Sequence, residues 1–247
     1  MNPVVKPYSG SVKGKKEQVA GMFNNIALRY DFLNHFLSFG IDKLWRRRAI
    51  QLIRPFQPEE ILDVATGTGD LAIESLKTGA KKITGIDISE EMLAIGRAKI
   101  KVLALDQFID LKLGDSEKLE FDDLVFDAVT VAFGVRNFEN LGRGLSEIFR
   151  VLKPGGVFCV LEFSRPRVFP VKQFYNFYTY YILPFIGRMI SKDHSAYRYL
   201  PESVRQFPDG KNFIAVLKKA GFVQIKEYRQ TFGVATIYLG IKPSLNS

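Results

Sequence analysis

The sequence predicts an α/β fold built on a doubly wound, mostly parallel sheet of seven strands. Two observations lead to this prediction: apolar strands alternate with amphipathic helices along most of the chain, and a glycine-rich turn follows the first of these strands. Such alternation covers both faces of a parallel sheet with helices. Ligands of these sheets bind beyond the carboxyl ends of the strands.

The N-terminal part of the chain is expected to lie outside the sheet. Residues 1–16 are polar and basic and are predicted to form a flexible tail, followed by a single domain over residues 17–247. Residues 17–58 form a predicted helical cap. The apolar residues of its first helix recur at three- and four-residue steps: Val19, Met22, Phe23, Ile26, Ala27 and Tyr30.

A second cap helix is predicted after Asp42. Its expected inward side chains are Leu44, Trp45, Ala49 and Leu52. Its expected outward side chains are Arg46, Arg47 and Arg48. Pro55 and Pro58 then end the cap.

The predicted strands follow in order. They cover residues 61–65, 83–87, 109–113, 128–133, 156–163, 223–228 and 235–241. Helices are predicted between them over residues 70–76, 90–103, 141–152 and 212–220. A segment rich in aromatic and basic residues, 166–210, interrupts the alternation and is interpreted as a lid inserted into the same domain.

The turn after the first strand is the strongest sign of a ligand site. Gly67 and Gly69 allow left-handed backbone torsions and close approach of a ligand, and Asp63 precedes them within the strand. The spacing Gly67-x-Gly69-x-x-Ala72 also satisfies the loose dinucleotide fingerprint. Asp87 ends the second strand, where a carboxylate can bind ribose hydroxyls. The turn alone therefore leaves two nucleotide cofactors open.

Several further polar positions fall at the carboxyl ends of strands. Gly67, Asp87, Asp115 and the residues from Ala132 to Gly134 all fall at the carboxyl ends of predicted strands. Because these ends meet at one edge of a parallel sheet, we expect one shared site.

Composition restricts the class of protein. Hydrophobic residues make up 47% and charged residues 25%, as in ordinary globular proteins. The single cysteine, Cys159, excludes a disulfide framework and is expected to be a core residue. No apolar run reaches the ~20 residues of a membrane span, so a cytoplasmic protein is expected. The net charge of +9 favours contact with nucleic acid or an anionic membrane surface. No metal site is predicted.

Several motifs together resemble the class I S-adenosylmethionine-dependent methyltransferases. They are the turn 63–69, Asp87, Asp115 with Ser116, and the segment 152–156. More narrowly, residues 150–164 and the pattern of residues 30–34, 38–40 and Trp45 resemble the ubiquinone/menaquinone biosynthesis C-methyltransferases. The resemblance extends from about residue 15 to residue 242. Leu33 replaces a common methionine, and Asp42 stands where histidine is common, so no histidine role is assigned there.

The resemblance implies a Rossmann-like methyltransferase sheet and an S-adenosylmethionine site. It implies that Thr68 and the flanking Gly67 and Gly69 hold the methionine part of the cofactor and that Asp87 binds the ribose. Asp63 is also predicted to be a cofactor-binding residue, because it can accept hydrogen bonds from the amides of the turn or face a cationic ligand. It places Asp115 and Ser116 beside the adenine. Ala132 has no hydrogen-bonding side chain, so only its backbone is expected to contact the cofactor.

The resemblance also implies C-methylation of a prenylated quinol in respiratory quinone biosynthesis, with demethylmenaquinol as the expected substrate. Arg136 is predicted to pair with the ionised ring oxygen and Asn137 with the second oxygen. His194 and Tyr197 in the lid are candidate bases, as is Asp31. A lipid substrate is also consistent with an aromatic lid and with peripheral contact at the inner face of the membrane.

Three alternatives remain at this point. One is the equivalent benzoquinol methylation of the ubiquinone pathway. Another is a non-catalytic, cofactor-binding scaffold of a quinone-synthesis complex. The third is a nicotinamide-binding protein, which the glycine spacing alone would fit. A nucleic-acid methyltransferase is not expected, because the fourth strand is followed by Ala132-Phe133-Gly134-Val135 rather than by an Asn/Asp-Pro-Pro-aromatic motif. Isoprenoid tail length and oligomeric state are not predicted.

Overall fold

The structure is a computed structural model of the 247-residue chain. It describes residues 5–8, 10–38, 40–182 and 194–244, without the side chains of residues 29, 31–37 and 194–197. Among the described residues, no helix combines the length and the apolar composition that crossing a bilayer requires.

The sheet has seven strands, as predicted. They are β1 (Glu60–Val64), β2 (Lys82–Asp87), β3 (Ile109–Leu113), β4 (Phe126–Ala132), β5 (Leu152–Phe163), β6 (Val223–Gln230) and β7 (Ala235–Ile241). Their order is β3-β2-β1-β4-β5-β7-β6. The strands from β1 to β5 pair in parallel, while β7 is antiparallel to both β5 and β6. The order reverses between β1 and β4, which is where ligands of doubly wound sheets bind.

The helices outside residues 166–210 lie where the hydrophobic patterns predict them, within a few residues, and two more described helices lie inside that segment, where no helix bounds were predicted. They are α1 (Lys15–Leu37), α2 (Ile41–Ile53), α3 (Asp70–Ser75), α4 (Glu90–Val102), α5 (Leu141–Val151), α6 (Val171–Phe177), α7 (His194–Gln206) and α8 (Lys211–Lys219). A π-helical turn, Tyr178–Ile182, follows α6. The helices α2, α3 and α4 cover one face of the sheet, and α5 and α8 cover the other.

Local contacts correct two details of the predicted cap. Helix α1 begins at Lys15, inside the segment predicted as a tail, because the Glu139 carboxylate accepts the amide of Lys15 at 2.7 Å. On α2, Arg46 is buried, although it was predicted to face outward, and Leu44 is exposed, although it was predicted to be buried. Burial of Arg46 is possible because Asp42, one helical turn before it, forms an ion pair with it.

Candidate active site

The glycine turn is shaped by a carboxylate beneath it. The Asp63 oxygens accept hydrogen bonds from the Thr66 hydroxyl at 2.6 Å and from the Thr130 hydroxyl, on β4, at 2.7 Å. Burial raises the pKa of Asp63 to about 6, although the two hydroxyls act in the opposite direction. Asp63 therefore connects β1, the turn and β4, and it does not line either cavity of the site described below.

Gly67 leaves the turn open on the ligand side. Its φ is +58°, and a Cβ built there would meet only Tyr30 Cε1, at 4.0 Å. The Gly67 amide donates to Asp87 Oδ2 at 2.8 Å, while Asp87 Oδ1 accepts the amide of Ser89 at 2.9 Å. Burial raises the pKa of Asp87, and these backbone amides act in the opposite direction. Asp87 is thus held rigidly at the carboxyl end of β2.

A first cavity of about 640 Å³, measured to its open mouth, lies over these strand ends. The residues from the strand ends that line it are Ala65, Gly67, Asp87, Asp115, Ser116, Ala132 and Asn137. The expected shared site at the carboxyl ends is therefore present. Of the predicted cofactor residues, Gly67, Asp87, Asp115, Ser116 and Ala132 line this cavity.

Two predicted cofactor residues lie beside this lining. The Thr68 hydroxyl is directed to α4, where Lys99 Nζ donates to it at 3.3 Å. Gly69, with φ +80°, lies against the Leu111 side chain rather than against the cavity. Both residues belong to the backbone turn that carries Gly67 into the first cavity.

Helix α1 forms a roof over the first cavity, which the sequence did not indicate. Lys16 lines the cavity, and its ammonium group lies 2.7 Å from Asp115 and 3.4 Å from Glu117. Lys15 Nζ donates to the carbonyl oxygens of Arg136 and Phe138 at 3.0 and 2.8 Å. Desolvation by burial, reinforced by the nearby Arg136 charge, lowers the pKa of Lys15 to about 8.

A second, larger cavity of about 1710 Å³ opens beside the first. Its floor is an aromatic cluster. The ring centroid of Phe133 lies 4.4 Å from the ring centroid of Phe163 and 6.2 Å from that of Trp45. The residues that line both cavities are Phe23, Tyr30 and Phe133. Two ligands bound in these cavities would therefore meet at a shared aromatic wall.

The predicted catalytic residue Arg136 lines the second cavity and is paired with a buried carboxylate. Its Nη1 lies 2.6 Å from Glu162 Oε1, on β5, and Glu162 is fully buried. The Arg136 guanidinium also lies 5.4 Å above the Phe163 ring. Its Nε is buried and has no hydrogen-bond partner among the residues that the structure describes. Arg136 is thus fixed in orientation at the cavity wall, by a partner that the sequence did not reveal.

Asn137 connects the two cavities. It lines the first one, and its Oδ1 accepts a hydrogen bond at 3.1 Å from the hydroxyl of Tyr199, which lines the second. Burial raises the pKa of Tyr199 to about 12, so its hydroxyl acts as a donor. The side chains of the other predicted catalytic residues, His194 and Tyr197, lie outside the described residues.

Glu162 and the Asp42–Arg46 pair were missed for different reasons. A charged residue in the otherwise apolar run 157–163 was a visible signal of a buried partner. Asp42 was visible only as a departure from the family pattern. Its carboxylate lines the second cavity, and this becomes apparent only when α2 is packed on the sheet.

Comparison with known proteins adds to this geometry. The model of the ubiE/COQ5 methyltransferase family matches residues 11–242. The demethylmenaquinone methyltransferase of Bacteroides fragilis is 48% identical over 239 residues, 96% of this chain and 97% of that protein. A ubiquinone/menaquinone biosynthesis C-methyltransferase of Geobacter sulfurreducens is 46% identical over 92% of this chain and 90% of its own length.

Solved structures share the fold at much lower sequence identity. An S-adenosylmethionine-dependent methyltransferase of Thermotoga maritima has a TM-score of 0.64 at 19% identity, covering 90% of this chain and 99% of that chain. At this identity the likeness concerns the architecture alone. It agrees with the strand order and the antiparallel β7 described above.

Proposed function

The chain belongs to the ubiE/COQ5 methyltransferase family, and from this premise we propose that it methylates a ring carbon of demethylmenaquinol. The family membership makes it an S-adenosylmethionine-dependent C-methyltransferase of quinone biosynthesis, and its substrate a prenylated quinol. The naphthoquinol substrate is supported by the 48% identical relative that is named for demethylmenaquinone.

The residues of the first cavity fit S-adenosylmethionine. The open, left-handed backbone at Gly67 admits close approach of a ligand. The lining carboxylates Asp87, Asp115 and Glu117 suit a ligand that carries ribose hydroxyls, an exocyclic amine and positive charge. We assign the ribose to Asp87 and the adenine to Asp115 and Ser116. When bound, this cofactor supplies an electrophilic methyl group.

The observation that carries the proposal is the junction of the two cavities. The second cavity has room for a bicyclic ring and the start of an isoprenoid tail, and it meets the first at Phe23, Tyr30 and Phe133. Arg136 and Asn137 follow Phe133 closely in the chain and are proposed to bind the ring oxygens. They orient the ring carbon toward the first cavity and stabilise developing negative charge on oxygen. His194 and Tyr197 remain predictions.

One experiment tests both the reaction and the quinone. Purified protein is given labelled S-adenosylmethionine and equal amounts of demethylmenaquinol and the demethylated benzoquinol. We expect label mainly in the naphthoquinol. Preferential labelling of the benzoquinol would assign the chain to the ubiquinone pathway. Label in neither, despite cofactor binding, would favour a cofactor-binding scaffold.

We further propose that the protein reaches this lipid substrate from the cytoplasm, by peripheral contact with an anionic membrane surface. Five large aromatic side chains, between 57% and 77% exposed, form what we call the aromatic patch: Phe169, Phe174, Phe177, Tyr180 and Tyr181. Phe174 also lines the second cavity, so the patch adjoins that cavity. The exposed Arg165 and Arg167 flank it, and the net charge of +9 is complementary to anionic lipid headgroups.

A further inference from the structure

The second cavity contains a carboxylate to which no role has been given. Its lining is mostly aromatic and aliphatic, and the charged residues among the described lining are Asp42, Arg46 and Arg136. Asp42 is thus the sole carboxylate among the described residues that line the cavity. It is 3% exposed.

Asp42 is held in one orientation by groups on both sides. Its Oδ1 accepts the Ser38 hydroxyl at 2.7 Å, and its Oδ2 lies 2.5 Å from Arg46 Nη1. Arg46 in turn lies 3.5 Å from Asp70, the first residue of α3, which follows the glycine turn. Asp42 is therefore connected to the turn beneath the first cavity. Each carboxylate oxygen can accept more than one hydrogen bond, so a ligand hydroxyl can share an oxygen with these partners.

The proposed reaction needs a group that accepts a proton. A quinol ring carbon becomes strongly nucleophilic once the neighbouring hydroxyl is ionised. Arg46 and Arg136 carry no acceptor and stay protonated. Burial raises the pKa of Tyr175 and of Tyr199, so neither is ionised near neutral pH. Among the described charged side chains lining this cavity, these properties leave the Asp42 carboxylate as the acceptor.

We propose that Asp42 is a catalytic base that accepts the proton of a quinol hydroxyl in the second cavity; this rests on the proposed quinol substrate. The O–H bond of the quinol breaks, its electron pair stays on the ring oxygen, and an O–H bond forms on the Asp42 carboxylate. After methylation the ring carbon releases its own proton to solvent. Asp42 then returns its proton to the product oxygen and is again a carboxylate.

The first test compares rates. Asp42→Asn keeps the shape and removes the basicity, so kcat should fall by about 100-fold or more, the range of general-base catalysis. Asp42→His should recover about tenfold or more of that loss, because imidazole accepts protons near neutral pH. The matched control is Asp123→Asn, which removes another Asp–Arg ion pair at an exposed position and should leave kcat unchanged.

The second test uses binding without turnover. Trp45 is the single tryptophan of the chain and lines the second cavity, so its fluorescence reports ligand binding there in the absence of cofactor. The wild type should bind the quinol more tightly than the methyl ether of the same hydroxyl, which has no proton to donate. Asp42→Asn should retain quinol binding within about tenfold, the cost of one hydrogen bond, and lose most of this preference.

Arg46→Gln separates a base from a merely structural ion pair, because it breaks the pair and keeps the carboxylate. The proposal would be overturned if Arg46→Gln were as slow as Asp42→Asn. It would also be overturned if Asp42→Asn still bound the quinol more tightly than its methyl ether by the same factor as the wild type. Asp42→Ser makes the same comparisons if Asp42→Asn does not fold. A wild type that methylates neither quinol would instead overturn the proposed function.

Discussion

The buried carboxylates Asp63, Asp87 and Glu162 act through hydrogen bonds to neighbouring protein groups. Asp63 holds two hydroxyls, Asp87 holds two amides, and Glu162 holds Arg136. Each of these contacts fixes a part of the site that a ligand would touch. At the residue scale, the site therefore depends on charges whose removal has calculable effects on stability.

The first effect concerns Asp63 and pH. Because burial raises the pKa of Asp63 to about 6, the folded state binds a proton that the unfolded state releases between about pH 4 and pH 6. The wild type should lose stability relative to Asp63→Asn as pH rises through this range. The loss should be about 3 kcal/mol at most, because each tenfold difference in proton affinity corresponds to about 1.4 kcal/mol. Urea unfolding of both proteins at about pH 4.5 and pH 7 measures this loss. If the difference in the free energy of unfolding between the two proteins were the same at both pH values, the prediction would be contradicted.

The second effect concerns Glu162. Replacing it by Gln leaves the buried Arg136 charge without an ionic partner, so the free energy of unfolding should fall by about 3–5 kcal/mol. The matched control is Glu147→Gln, which weakens the half-buried pair with Arg150 and should cost about 1 kcal/mol or less. Denaturant titrations compare the two variants. Equal losses would show that burial of the Arg136–Glu162 pair has no special energetic role.

These residues also show what a sequence can reveal at this scale. Asp63 and Asp87 were identifiable because each sits beside a glycine turn or at a strand end, which are local features. The partner of Glu162 was not identifiable from the sequence, because the parallel pairing of β4 with β5 is what brings Arg136 close to Glu162. That register depends on long-range packing. His194 and Tyr197 remain predictions because their side chains lie outside the described residues.

At the scale of elements, α1 matters most to the cofactor. Its Lys16 lines the first cavity and pairs with Asp115 and Glu117. Burial acts to lower the pKa of Lys16, but these two partners outweigh it and raise the pKa. Lys16→Gln should weaken binding of S-adenosylhomocysteine by about fivefold at most, because part-exposed ion pairs contribute about 1 kcal/mol or less. Lys16→Glu should weaken binding of S-adenosylhomocysteine further, because the new carboxylate would be repelled by Asp115 and Glu117. Calorimetry measures both, and Lys43→Gln, at an exposed position of α2, is the control.

Two outcomes would contradict this role of α1. If Lys16→Glu bound S-adenosylhomocysteine as tightly as the wild type does, the side chain of Lys16 would have no effect on the ligand in the first cavity. If Lys16→Gln lost no more affinity than Lys43→Gln, the loss would be explained by the change in net charge alone, and not by the position of Lys16. In the wild type, added salt should weaken binding toward the level of Lys16→Gln, because salt screens part-exposed pairs.

The elements themselves were largely predictable. Alternation of apolar strands and amphipathic helices gave every strand within a few residues, since the central strands are buried on both faces and read as short apolar runs. The start of α1 and the inward turn of Arg46 were not predictable. The start of α1 depends on Glu139, from another part of the chain, and Arg46 is held by Asp42 of its own helix and by Asp70 of α3.

At the scale of the whole molecule, the aromatic patch should direct the protein to membranes. Sedimentation with vesicles that contain phosphatidylglycerol should retain the wild type, and neutral vesicles should retain less. The double change Phe174→Ser and Phe177→Ser should weaken binding by at least about tenfold, because burying one Phe contributes roughly 1.5–3 kcal/mol. Phe56→Ser, an exposed aromatic just before β1 at the opposite edge of the sheet, should bind normally. Equal binding of all variants would contradict the proposed surface.

The strand order has a consequence for how the molecule assembles as it is synthesised. Among the described strands, β6 pairs with β7 alone, and β7 is inserted between β6 and β5. When β6 leaves the ribosome it has no hydrogen-bonding neighbour, and it must wait for β7 before it can join the sheet. The parallel half from β1 to β5 can form earlier. The edge of β5 that pairs with β7 therefore stays unpaired until β7 has been synthesised.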